Sequence, residues 1–231
     1  MTSQHEHEWI RQQAAASLLR IDPTNVGCLD LIVNLLKTTE SWRTQAKIVD
    51  SIEQTSFGNL IAINRLEDFL ENCSNNYVKK KTAISLAKIN PGNAKAISTL
   101  LQILRDSNNS PRANDDIVWS LGEIGENNLE VVRMLIQLFE RKHDSENGLV
   151  NHLHERNLSF ESRSLCKAAT QSMYRTVVEN LKRYLSDENF KNHFEQFKAA
   201  YESVWHCAEN MNYQDFCRAW NSSPRVEPSK N

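Results

Sequence analysis

Glycine and proline are scarce in this chain, six and five among 231 residues, which excludes a fold of many short strands joined by tight turns. No run of about 18 to 20 apolar residues occurs, so no membrane-spanning helix is expected, and Met1 to Glu8 hold no apolar signal region. Charge of one sign is also missing. With 27 basic side chains against 29 acidic ones, no global field draws the chain to nucleic acid or to an anionic membrane. The five cysteines, Cys28, Cys73, Cys166, Cys207 and Cys217, are odd in number and scattered without CxxC spacing, which argues against a disulfide framework and a zinc ribbon. Nor is there a Gly-x-x-x-x-Gly-Lys-[Ser/Thr] loop to cradle nucleotide phosphates. What remains is the expectation of a soluble, cytoplasmic, all-α protein that needs no cofactor.

What the chain does have is a repeat. Ala15-Ala16-Ser17-Leu18-Leu19-Arg20-Ile21-Asp22-Pro23-Thr24-Asn25 aligns with the segment from Ala83 to Asn93 at an offset of 68 residues, two periods of 34. Between them Val49, Ser51, Ile52 and Asn59 fill the same columns, and 35 residues after the third copy come Val118, Ser120, Leu121, Ile124 and Asn128. In the first half of each copy Ala15, Leu18 and Ile21, or their equivalents, lie along one helical face. The second half carries an i, i+3, i+4 stripe: Ile32, Leu35, Leu36; Leu66, Phe69, Leu70; Leu100, Ile103, Leu104; Leu135, Leu138, Phe139. Pro23 and Pro91 stop the first helix, and Thr24 or Asn25 and then Asn93 are placed to cap the second. One hairpin cannot bury both stripes, whereas stacked hairpins can; the prediction is a HEAT-type α-solenoid of about five hairpins with a C-terminal helical cap. The second copy departs from the pattern, with Thr55 in the Ile column and Phe57-Gly58 in place of the proline turn, which suggests a local bend.

The resulting organisation is a tail over 1–8, four repeats over 9–142, an insertion over 143–160, a fifth hairpin and aromatic cap over 161–220, and a disordered tail over 221–231. A helical pattern runs from Ser162 to Leu185. Beyond it Phe194, Phe197, Tyr201, Trp205, Tyr213, Phe216 and Trp220 mark an amphipathic segment expected to seal the open end of the stack.

The unit from Ala83 to Ile97, and above all Tyr201-Glu202-Ser203-Val204-Trp205-His206-Cys207-Ala208-Glu209-Asn210-Met211 with Tyr213, Phe216 and Ala219-Trp220, resembles the C-terminal HEAT-repeat region of cyanobacterial NACHT-domain NTPases of the STAND class. The resemblance covers about residues 9 to 220. It implies a helical array that senses or binds a partner on behalf of a nucleotide-driven core, in defence or regulated signalling. The missing phosphate loop means that NTPase activity does not carry over, and the chain is expected to be a free-standing relative of the sensor region or a fragment separated from its NTPase.

Several residues invite a chemical role. His206-Cys207 suggests a thiol activated by imidazole, but neighbours on a helix project about 100° apart, so packing is the favoured reading, with metal, redox and nucleophilic roles as alternatives. His152 and His154, with His143 and Cys166, have zinc-ligating chemistry, against a solvated insertion that happens to hold histidines. An insertion in a repeat array is itself a common place for a partner contact. Lys79-Lys80-Lys81 reads as a solvated helix face, with nucleic-acid contact the runner-up although no aromatic residue is interleaved. Outward columns of the second helices, Asn34, Asp68, Gln102, Gln137 and then Lys37, Glu71, Arg105, Glu140, vary in type, which suits a particular protein better than a polyanion. The candidate partner-binding set is Lys79, Lys80, Lys81, Gln102, Arg105, Gln137, His152 and His154, with Trp205, His206 and Cys207 of special interest and no catalytic or metal residue assigned. The expected function is a non-enzymatic protein-binding scaffold, its partner a NACHT NTPase or that protein's ligand. A HEAT-like bilin lyase acting on phycobiliproteins and a nucleic-acid sensor are the alternatives.

Overall fold

The computed structural model describes residues 2–106, 111–141 and 151–222, and side chains at 10–106, 115–139 and 158–222. Among them the chain is all α-helix, in two compact units, Met1–Arg105 and Asp106–Asn231. The first holds three hairpins: α1 (Thr2–Ile21) with α2 (Val26–Thr38), α3 (Trp42–Thr55) with α4 (Leu60–Asn72), and α5 (Asn76–Ile89) with α6 (Ala94–Asp106). Here α1 packs on α3, α3 on α5 and α2 on α4, the parallel ranks of a HEAT stack. The second unit holds α7 (Pro111–Ile124) with α8 (Leu129–Arg141), α9 (Asn151–Ala168) with α10 (Gln171–Leu181), a 3₁₀ turn at Lys182–Tyr184, and then α11 (Asp187–Asn192), α12 (Phe194–Asn210) and α13 (Tyr213–Asn221). No described helix is long and apolar enough to cross a membrane.

One turn recurs within the hairpins. Asn25, Asn59, Asn93 and Asn128 each donate their backbone N–H three residues back, to the carbonyls of Asp22, Ser56, Asn90 and Gly125, at 3.2, 3.0, 3.1 and 3.0 Å. Each asparagine side chain then accepts from the first turn of the next helix, at Cys28, Ala62, Ala96 and Val131. The residue before the cap is left-handed in three of the four: Gly58 (φ 69°), Gly92 (φ 82°) and Asn127 (φ 60°). The second hairpin therefore makes the same hydrogen-bonded turn as the others, without the proline, with Gly58 in the left-handed position that Gly92 and Asn127 take in the third and fourth. In the first turn Thr24 is held by the Asp22 carboxylate instead, through both its backbone N–H (3.0 Å) and its hydroxyl (2.7 Å), so the cap falls to Asn25.

The first-helix column is buried in the inner copies, Ile52, Leu86 and Leu121 all at 0% exposure, but Leu18 is 50% and Ile21 81% exposed. In the first copy the expected face is open, and Ala15, Ala16 and Leu19 carry the packing of α1 instead. Polar columns also pair across hairpins: Arg65 with Asp30 at 3.0 Å, Lys88 with Glu53 at 2.8 Å, Arg20 with Gln54 at 3.3 Å. Each pair spans roughly one repeat, so the period that stacks the apolar faces also brings these groups together.

The second unit departs more from expectation. The helical pattern from Ser162 to Leu185 is broken at Ala169-Thr170, so that α9 and α10 make the fifth hairpin, and α9 begins at Asn151 within the stretch expected to be an insertion. Asn127 donates to the Ala168 carbonyl at 3.1 Å, as Gly58 does to Ile89 at 3.0 Å, so the fourth turn is stitched to the end of α9 as the second is to α5. The aromatic cap is inverted. On α12 the buried residues are Gln196, Ala199, Ala200, Ser203, Val204 and Cys207, while Phe194, Tyr201 and Trp205 are exposed. Small side chains face α9 because the two helices approach closely, with the Ser203 hydroxyl 3.1 Å from that of Ser162. The rings have no room there and turn outward. At the end of α13, the Lys182 ammonium donates to the carbonyls of Ala219 (3.1 Å), Trp220 (2.5 Å) and Ser222, satisfying the helix terminus.

Candidate functional site

Tyr201 and Trp205 of α12 form one wall of a groove of about 390 Å³ within the second unit. Phe197, Tyr201 and Trp205 recur every four residues, so they fall on one face and stack, with ring centres 6.4 and 5.9 Å apart and planes within 10° and 18°. Trp119 of α7 supplies a further wall. It is set edge-on to Phe160 at 6.5 Å, and the Lys167 ammonium lies 4.3 Å over its indole while also paired with Glu123. Charge divides by helix: α9 lines the groove with Arg163 and Lys167, α12 with Glu202 and Glu209. The more buried lining is Ser162, Cys166 and His206.

His206 and Cys207 diverge. His206 stands edge-on to the Tyr174 ring of α10 at 5.8 Å and is partly open, whereas Cys207, about 100° round the helix, is buried, 1% exposed. Burial pushes the Cys207 thiol up to about 12 and the Cys166 thiol up to about 11. The two thiols interact with each other, and Cys166 also hydrogen bonds to Ser203 and Ser162. The neighbour of Cys207 is therefore Cys166, from another hairpin; Cys217 on α13 bonds to Tyr213. Neutral thiols in such a setting are poor nucleophiles at neutral pH.

Of the residues weighed as zinc ligands, two are placed far apart. His154 and Cys166 lie on one continuous helix, twelve residues or about 18 Å apart along its axis, too far to share a metal. His143 and the side chains of His152 and His154 lie outside the described residues, and among the described ones no three His, Cys, Asp or Glu side chains are grouped to hold an ion. In the first unit the lysine run is half-buried, not fully solvated: Lys81 is 2.5 Å from Asp50 of α3, and Lys80 approaches the Tyr77 ring at 6.0 Å. Burial would pull the Lys81 ammonium down, but Asp50 and Glu53 more than offset it, leaving it raised. Gln102 and Arg105 on α6 are exposed in the first unit, and Gln137 on α8 is exposed in the second. None of these three lines the groove; of the residues singled out in the sequence, Trp205 and His206 line it, joined by Trp119, Tyr201 and residues of α9. A period-four run of rings is visible in the sequence, but which face it turns to solvent is not.

Residues 193–221, covering α12 and α13, match the family described as NACHT C-terminal Cysteine and Histidine-containing, and residues 63–153 match HEAT repeats. No curated protein and no solved structure matches the chain.

Proposed function

We propose that the chain is a protein-interaction module that docks a peptide segment of a partner in the groove between α7, α9 and α12, and that it serves as a sensor or regulatory arm of a NACHT-type signalling system. The observation that carries this reading is the exposed, stacked pair of Tyr201 and Trp205, which lines the groove beside Arg163 and Lys167 of α9 and Glu202 and Glu209 of α12. Exposed aromatic anchors with flanking charges are the composition of protein-binding hot spots. The match of 193–221 to a NACHT-associated family supports the link to such systems, and the HEAT match supports binding over chemistry. The occupant that fits is a peptide with an aromatic or large aliphatic anchor, a basic residue for Glu202 or Glu209 and an acidic one for Arg163. Panning a random peptide display library against the full chain tests it. Peptides of that pattern are expected to be enriched and to lose at least about ten-fold in affinity on Trp205→Ala. Enriched peptides that bind Trp205→Ala and Tyr201→Ala chains as well as the unmodified one overturn the assignment.

A further inference from the structure

A second exposed aromatic feature lies in the first unit and plays no part in the groove. Trp42 opens α3 and Tyr77 is the second residue of α5. They are 35 positions apart, so the repeat sets them side by side, with ring centres 5.2 Å apart and planes at 74°. Both remain open to solvent, at 42% and 49% exposure. Cations flank the pair: the Arg43 guanidinium is 4.9 Å from the Trp42 ring and the Lys80 ammonium 6.0 Å from the Tyr77 ring, with Lys79 next along α5. Asp50 is paired with Lys81, and Glu40 precedes α3.

Open rings bordered by guanidinium and ammonium groups match a nucleobase that stacks and a phosphate that pairs. An acidic peptide would engage the cations but would leave the two rings without a purpose. The lysine run has no aromatic residue interleaved in sequence; the fold supplies Trp42 from the preceding hairpin. We infer that this edge of the first unit binds single-stranded nucleic acid through Trp42, Tyr77, Arg43 and Lys80, a site separate from the protein-binding groove.

Fluorescence anisotropy of a fluorescein-labelled oligothymidylate of about twenty nucleotides, titrated with the full chain, tests this. Binding is expected at about 50 mM salt and to weaken steeply by about 200 mM. Trp42→Ala and Tyr77→Ala should each weaken it at least about five-fold, Trp42→Phe should retain most of it, and Arg43→Ala with Lys80→Ala should weaken it and flatten its salt dependence. Trp205→Ala should leave it unchanged. Far-ultraviolet circular dichroism identifies any variant that fails to fold, and Trp42→Phe with Lys80→Ala then carry the test. Absence of binding at low salt overturns the site. So does equal binding by Trp42→Ala and Tyr77→Ala, or competition by polyglutamate as strong as by unlabelled oligothymidylate, either of which marks a surface that recognises charge alone.

Discussion

Glu53 sits between Ser85 and Lys88 of the following hairpin, 2.5 and 2.8 Å from them. Burial pushes its carboxyl up, but Lys88, Ser85 and Lys81 together outweigh that and hold it below the ordinary range. A carboxylate whose folded value is depressed contributes stability above its unfolded pKa and loses it as pH falls through the folded one. Glu53→Gln should therefore destabilise the chain at neutral pH by no more than about 1 kcal/mol, since the pair is partly open to solvent, and the deficit should vanish in acid. Denaturant unfolding at the two pH values checks this. Cys166 and Cys207 run the other way, up to about 11 and about 12, so under about one in a thousand of either is thiolate at pH 8. Iodoacetamide should spare both in the native chain and label both in urea; fast native alkylation of Cys207 would restore the nucleophilic reading. The His206-Cys207 adjacency is visible in the sequence. The burial that mainly sets the thiol's chemistry, and its lesser neighbour Cys166, 41 residues away, could not be read there.

At the scale of the helix, position within the stack decides what a column residue is worth. Leu18 and Leu86 occupy the same repeat column, yet only Leu86 is enclosed. Leu86→Ala should cost about 2 to 5 kcal/mol by leaving a cavity, whereas Leu18→Ala should cost well under about 1 kcal/mol; thermal or urea unfolding of the two variants reads the difference. Equal losses would mean that the first-helix register is misplaced. Gly122, inside α7, marks where α9 comes nearest: a Cβ there would lie 2.6 Å from the Ser164 Cα. Gly122→Ala should therefore destabilise by about 1 to 3 kcal/mol, although alanine is the better helix former by about 1 kcal/mol, and a gain in unfolding free energy would contradict the close contact. The leucine columns and asparagine caps are legible because they follow local periodicity. The break at Ala169-Thr170 and the inverted face of α12 are not, because they depend on how closely α9 approaches α7 and α12, and that is set by small residues scattered through three helices.

At the scale of the molecule, repetition supplies stability while the irregular parts supply surfaces. The first unit follows the 34-residue plan almost throughout, and its period could be read from the sequence together with the polar columns that join successive hairpins. The second unit keeps that plan through α7 and α8, then adds the fifth hairpin and the helices α11 to α13, where the rings are free to turn outward. The groove proposed for docking joins Trp119 of the regular part to α9 and α12 of the added part. Its most direct test is the tryptophan indole N–H spectrum of the ¹⁵N-labelled full chain, followed by NMR during titration with a peptide selected on it. The signals of Trp119 and Trp205 should shift together and saturate with the binding curve while that of Trp42 stays fixed; a peptide that binds and leaves Trp119 and Trp205 unmoved would show that the partner surface lies elsewhere.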